Sequence, residues 1–255
     1  MRASRTCRVL SGLALLLLPT LIGCGGTPEE KALEDIRDTT IIPNLGSYDD
    51  QIQQEAVYRM QSILENAPEV ARNLLAATLR DPVYDNRTKL VCAWLLATQQ
   101  DRRALQTLVD LLGVGSDSDE SLLRDSLNLY GAEVVPSVAS VLREGNDVAR
   151  IAAAEVLCDL GDGEAVDALV ARYGSEPNPR VRFLILCGVA NRPPLRVPLL
   201  EQALVDADAK NRDFAWSTLG RHYDFPETLT FDAEETEEVR SAQLDRYRRW
   251  LAGRL

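Results

Sequence analysis

The sequence predicts an all-α fold, and three observations lead to this class. Apolar residues recur at spacings of three and four over most of the chain, the pattern of amphipathic helices. Glycine and proline divide these stretches into short units. A helix-opening residue with apolar residues three and seven positions later returns at intervals of 34, 32, 31, 32 and 30 residues. The six anchors of this pattern are Gln53, Arg87, Asp119, Arg150, Arg182 and Arg212.

The steady period indicates a solenoid in which helical hairpins stack on one another. The clearest unit extends from Asp147 to Tyr173. Its first helix opens near Arg150, and two glycines at 161 and 163 break the helical pattern. The apolar positions of its two helices are Ala153 and Leu157, then Ala165, Val166, Leu169 and Val170.

The second helices share a further feature, a proline in their first turn. It occurs in Val135-Pro136 and in Val197-Pro198, each followed by an apolar stripe. Proline is tolerated there because the first turn needs no intrahelical amide donor. With this period and these prolines, residues 47–223 resemble the short HEAT-like repeats of about 30 residues. The resemblance implies a right-handed α-solenoid of about six hairpins.

One unit fits this pattern poorly. With Asp119 as its anchor, Ser126 occupies a position where an apolar residue is expected. Moving the anchor to Glu120 places Leu123 and Leu127 at the apolar positions instead. The register of this unit is therefore open between the two alignments.

The N-terminal residues predict export and lipid anchoring. Three arginines precede an apolar run from Leu10 to Ile22, which is shorter than a membrane-spanning helix and has the form of a signal peptide. Leu21, Ile22, Gly23 and Cys24 resemble a bacterial lipobox, which implies a signal peptide over residues 1–23 and a diacylglycerol on Cys24. Ordinary secretion with an unmodified Cys24 is the alternative. By the same resemblance, Gly25 favours the outer membrane if the cell has two membranes.

Two flanking segments complete the predicted organisation. Residues 24–46 are interpreted as a lipidated tether with one short helix near Glu29–Asp38, ended by Pro43. Residues 224–255 are interpreted as a loop followed by a helix over Glu234–Ala252 that caps the last repeat.

Charge limits the partners. The chain carries a formal charge of -11, and removing the three arginines of the signal peptide changes it to -14. Nucleic-acid binding needs a clustered basic surface, so we expect no nucleic-acid partner. We expect neutral or basic partners instead. Cys92, Cys158 and Cys187 all lie in apolar helical stretches and are expected to be buried thiols.

The sequence offers little catalytic chemistry. His222 is the only histidine, and the three cysteines of the repeats lie too far apart to predict a zinc site. Ser217, His222 and Asp224 provide the residue types of a triad, but neighbours along one helix rarely converge as a triad requires. The acidic turn at 116–120 lacks the glycine and distal glutamate of a calcium-binding EF-hand. We predict no catalytic residue, no metal site and no cofactor.

These features favour a membrane-anchored scaffold of the cell envelope. Its partners would be envelope proteins or peptides bound along a groove lined by second helices, but no partner-binding residue can be assigned from the sequence. Two alternatives remain. One is an envelope enzyme or chromophore-handling protein, because some short HEAT-like repeats belong to phycobilin lyases; the other is a structural repeat that associates with itself.

Overall fold

The structure is a computed structural model that describes residues 27–190 and 192–253. The predicted signal peptide and the lipobox with Cys24 lie outside the described residues. The described part is helical and contains no strand, which confirms the all-α prediction. Its helices are α1 Pro28–Asp35, α2 Ile41–Leu45, α3 Asp50–Asn66, α4 Pro68–Arg80, α5 Asn86–Thr98, α6 Leu105–Asp110, α7 Asp117–Asn128, α8 Val135–Glu144, α9 Asp147–Leu160, α10 Gly163–Tyr173, α11 Pro179–Ala190, α12 Val197–Ala203, α13 Ala209–Tyr223 and α14 Glu237–Ala252.

Short polar residues begin most of these helices. The side chains of Asp85, Asn146 and Asp162 each accept a hydrogen bond from the backbone amide three residues ahead. Such caps are each worth about 1 kcal/mol because they satisfy an otherwise unpaired amide. Gly161 ends α9 in the left-handed conformation, with φ of 54°, as its place in the predicted break suggests. Pro136 lies in the first turn of its helix, as predicted.

The odd-numbered helices from α5 to α13 form the central row of the fold. Contacts connect α5 to α7, α7 to α9, α9 to α11 and α11 to α13. The even-numbered helices lie beside this row, and α8 also contacts α10. One apolar cluster, rich in leucine, alanine and valine, extends through all of these helices. Within the described residues, no helix is long and apolar enough to cross a bilayer.

Near Asp119 the structure has features of both alignments. Leu123 and Leu127 are both buried, so the shifted alignment gives the apolar positions. Ser126 is buried as well, and its hydroxyl donates to the Leu122 carbonyl at 2.6 Å. A serine is tolerated in this core position because its own helix satisfies the hydroxyl. Asp119 keeps the polar role of an anchor, as described below.

The predicted tether over residues 24–46 is wrong from residue 28 onward. The helix expected near Glu29–Asp38 is present as α1, but α2 follows it, and both helices pack on α3. Ile41, Ile42 and Leu45 are buried in the common core. Pro43 does not prevent α2 because it lies in the first turn, where no intrahelical donor is needed. Within the described residues, helices that pack on the common core are thus present from Pro28 onward.

Polar contacts hold this N-terminal segment in place. Arg59 of α3 donates to Asp38 at 2.9 Å and to Asp35 at 3.1 Å. Hydrogen bonds from the Thr40 side chain and amide, joined by Arg59, lower the pKa of Asp38 to about 2. Gln53 donates to the Leu45 carbonyl at 2.8 Å. We call α1, α2 and α3 together the N-terminal cap.

At the other end, α14 begins at Glu237, three residues later than the predicted start, with Thr236 as its cap. It buries Leu244 and Tyr247. The ring centres of Tyr247 and of Trp216 in α13 lie 5.8 Å apart, and the Tyr247 hydroxyl donates to Glu201 at 3.0 Å. Half of the chain's aromatic residues lie between Phe214 and Trp250, where they help to join α14 to α13.

Candidate binding surface

The loops that precede the odd-numbered helices lie side by side along one edge of the molecule, which we call the ladder edge. Polar contacts connect neighbouring units: Arg87 reaches the Ser47 carbonyl, Asn178 donates to Asp147, and Arg182 donates to the Asp206 carboxylate. Between the loop before α7 and the start of α9 the contact is one of close packing, because Gly113 lies directly against the Ala149 backbone. The anchors of the repeat all lie at this edge.

Glu176 is the centre of the ladder edge. Its side chain is 0% exposed, and it accepts from Arg150 at 3.1 Å and from Arg172 at 2.8 Å. The Asn178 amide also donates to it at 2.8 Å. Arg150 further donates to the Gly145 carbonyl at 2.8 Å. One buried carboxylate thus connects two arginines from different helices, and the hydrogen bonds offset the cost of burying its charge.

The next step of the ladder edge is a bidentate ion pair. Arg182 donates from Nε and Nη2 to the two carboxylate oxygens of Asp206, each at 2.7 Å. Tyr173 donates its hydroxyl to the same carboxylate at 2.6 Å. Burial alone would raise the pKa of Asp206, but the hydrogen bonds from Arg182, Tyr173 and the Asp208 amide outweigh it and lower the pKa. Burial, together with Asp206, raises the pKa of Tyr173.

In the N-terminal part of the ladder edge, one arginine, Arg87, makes the contacts to its neighbours. Arg87 donates to Asp119 at 2.5 Å and to Gln53 at 3.3 Å, which brings the first three predicted anchors into direct contact. The Arg87 guanidinium also lies 4.8 Å from the centre of the exposed Tyr48 ring. Asp119 shares its carboxylate with the Ser116 hydroxyl at 2.8 Å.

The sequence reasoning identified the anchors but missed Glu176 and Asp206. Each of these acids lies six residues before the next arginine anchor, Arg182 and Arg212 respectively. The same spacing joins Asp81 to Arg87 and Glu144 to Arg150. This recurring acid is the feature of the sequence from which Glu176 and Asp206 could have been predicted. In the structure, however, each of the two bonds the arginine of the preceding unit.

Exposed apolar side chains accompany the ladder edge. Val83, Val114, Val148 and Val205 are exposed, and each lies in the loop or first turn of a different odd-numbered helix. The polar contacts just described hold Asp147 and Asp206, which adjoin Val148 and Val205. A row of separately held apolar groups suits contact with an extended protein segment.

The apolar residues that located the second helices face the core. Val135, Leu169 and Leu200 are all buried in the core. The apolar periodicity that located these helices therefore marks their inward faces. Their outward faces are polar, with residues such as Glu164, Asp167 and Glu201.

One cavity of about 480 Å³ lies between α7, α9 and α11. Cys158 and Cys187 both line it, and each is only partly buried, which corrects the expectation that all three thiols are buried. Burial, with a smaller effect of Cys187, raises the pKa of Cys158 to about 12. The Cys158 thiol is therefore protonated near neutral pH and is a poor nucleophile.

A second cavity of about 680 Å³ lies between the α11–α12 connection and α13. Arg192, Arg221 and His222 line it, whereas Ser217 and Asp224 are not among its lining residues. His222 is exposed and rests on the edge of the Tyr223 ring at 4.7 Å. Arg192 also donates to the Gly161 carbonyl at 2.9 Å, so part of its donor capacity serves the fold. Among the described residues, no group of three or more metal-ligating side chains converges.

Comparison with known families identifies the repeat. The PBS lyase HEAT-like repeat family matches residues 149–173, which span most of α9 and all of α10. This match coincides with the unit that the sequence pattern marked as clearest, and it confirms HEAT-like repeats in the chain. Comparison with curated proteins gives no significant match.

Proposed function

We propose that this chain is a membrane-anchored HEAT-repeat lipoprotein that serves as a protein-binding scaffold in the cell envelope. Its repeats would form a right-handed solenoid of about six hairpins, closed by α14. Lipid on Cys24 would hold it at the membrane, the outer one where the cell has two. The proposal is of a binding protein rather than an enzyme.

The observation that carries this proposal is the row of exposed valines on the ladder edge. Buried ion pairs such as Arg182–Asp206 fix the loops from which these valines project. A rigid surface loses little conformational entropy when a partner binds. The ladder acids and arginines are hydrogen-bonded to one another, so they serve the shape of this surface rather than a reaction.

The net charge of -14 in the processed chain favours envelope proteins or peptides that are neutral or basic. The valines would supply apolar contacts, and the surrounding acids would attract the partner's cations. Affinity distributed over several repeats is the usual behaviour of solenoid binding surfaces.

Site-specific photo-crosslinking in intact cells tests the proposal. A benzophenone amino acid replaces Val83, Val148 or Val205 in separate strains, and Leu129 provides a matched control. Leu129 is exposed but lies at the opposite edge, where its carbonyl accepts from Gln100 at 2.9 Å. We expect one partner to crosslink at the three valine positions and not at Leu129.

The negative outcomes are equally specific. Equal crosslinking at Leu129 and the valines would refute the ladder edge as the binding surface. Adducts only with other copies of the chain would indicate self-assembly in place of scaffolding. Membrane fractionation of Cys24→Ser tests the anchor separately: the variant is expected in the soluble envelope fraction, and retention in the membrane with normal processing would refute lipid anchoring.

A further inference from the structure

The link between the proposed lipid anchor and the folded unit is very short. Only Gly25 and Gly26 separate Cys24 from Thr27, the N-cap of α1, and the three extended residue steps from 24 to 27 span about 10 Å. Whatever conformation these residues adopt, α1 must therefore begin within about 10 Å of the lipidated residue. The expected tether of residues 24–46 would have allowed a far greater separation.

The N-terminal cap carries large exposed side chains close to this point. Tyr48 is 80% exposed, Tyr58 74% and Ile52 43%, and all three lie on α3 or directly before it. Tyr58 adjoins Arg59, which binds Asp35 at the end of α1. Because α1 rises about 1.5 Å per residue, its eight residues place Asp35 about 12 Å from Thr27.

These side chains have the chemistry of the membrane–water interface. Tyrosine combines an apolar ring with a hydroxyl that stays hydrated, and it is enriched where proteins meet lipid headgroups. Exposed rings cost solvation in water, and contact with lipid removes that cost. No comparable group of exposed aromatic rings lies among the described residues at the ladder-edge loops that follow Val83.

We propose that the N-terminal cap lies against the bilayer, with Tyr58 in its interfacial layer. This inference rests on the lipid anchor of the proposed function. Neighbouring helices of the row pack about 8–10 Å apart, and α13 lies four such steps from α5, the row helix that contacts α2 of the cap. The membrane would thus contact one end of the row, and the later loops of the ladder edge stay open to a protein partner.

Charge defines the kind of membrane surface that fits. The cap exposes the acids Glu29, Glu30, Glu34, Asp49, Asp50, Glu55 and Glu65, against the exposed cations Lys31 and Arg37. An anionic bilayer repels such a surface, whereas a zwitterionic one does not. The covalent anchor is therefore needed to hold the cap in place, and the cap alone should not bind vesicles.

Photo-crosslinking to lipid tests the inference with the full lipoprotein purified from cells and reconstituted in phosphatidylcholine vesicles. The benzophenone amino acid replaces Tyr58 in one preparation. In the matched control it replaces Val205, which is 64% exposed and precedes α13. We expect phospholipid adducts, measured by mass spectrometry, to be several-fold more abundant at position 58. Equal or greater labelling at position 205 would overturn the inference.

Lengthening the link gives a second test. A 15-residue Gly/Ser insertion between Gly26 and Thr27 adds a root-mean-square reach of about 20 Å. We expect lipid adducts at position 58 to fall several-fold, and unchanged labelling would refute the dependence on a short link. Vesicle flotation and the mass of the lipidated chain distinguish a failure of the proposed function from a failure of this inference. An unlipidated chain that still floats contradicts the proposed function, whereas a lipidated, floating chain with equal adducts at both positions contradicts only the inference.

Discussion

The two halves of the ladder edge hold their loops with different chemistry. Arg150 and Arg182 each donate both to a carbonyl of the loop before their own helix and to a buried acid of the next loop. From Gln53 to Asp119, one arginine bridges two side chains that have other partners as well. The first arrangement makes each loop depend on the next, whereas the second leaves the loops more independent.

The two halves also differ in where the family resemblance is found. The matched residues 149–173 begin beside Arg150, in the half with the buried acids. In the other half, Gly113 occupies the position six residues before Asp119 where the C-terminal half has an acid. The match includes Arg150 but ends before its partner Glu176. The following predictions test this difference between the halves.

The largest effect is expected for Glu176→Ala. The substitution leaves Arg150 and Arg172, with side chains only 11% and 15% exposed, without their shared carboxylate. Removing one partner of a buried ion pair costs about 3–5 kcal/mol in the free energy of unfolding. Urea titration followed by circular dichroism measures the loss. Glu133→Ala is the control, because its partner Arg102 is 77% exposed, and we expect a loss below about 1 kcal/mol.

The packing of Gly113 against Ala149, which connects the two halves, is tested by Gly113→Ala. Gly113 has a φ of 75°, and an added Cβ would lie 2.6 Å from the Ala149 nitrogen. The left-handed backbone and the clash together predict a loss of about 2–4 kcal/mol. The same substitution at Gly163, where a Cβ meets no atom within 4 Å, should be neutral or slightly stabilising. Equal effects at both glycines would mean that Gly113 does not join the halves.

The charge of Asp206 is tested by pH. Its pKa is lowered in the folded state, so its stabilising contribution is complete above the unfolded pKa of about 3.9 and is lost as pH falls through the folded pKa. Asp206→Asn should lower the free energy of unfolding by about 2 kcal/mol at pH 7. The difference between wild type and variant should shrink below about pH 4. A constant difference down to pH 2 would show that the ion pair is not the cause.

Sequence reasoning located what depends on local pattern. The helix breaks at Gly161 and the prolines of the second helices follow from backbone chemistry within a few residues, and both were predicted correctly. It failed where distant residues decide the outcome. The helix α2 is stable because Ile41 and Leu45 cover α3, and Glu176 is buried because arginines from two helices converge on it. The exposed valines of the ladder edge likewise became visible only once the core positions were known.

The smallest effect is expected for Arg87→Gln in the N-terminal half. The variant loses the ion pair with Asp119 and the contact with the Tyr48 ring. Asp119 nevertheless keeps its hydrogen bonds within the Ser116 capping box, so its carboxylate is not left without a donor. We therefore expect a loss of only about 1 kcal/mol in urea titration. If Arg87→Gln were as costly as Glu176→Ala, the N-terminal loops would be coupled as tightly as the C-terminal ones. The contrast between the halves would then have to come from apolar packing instead of from the ladder.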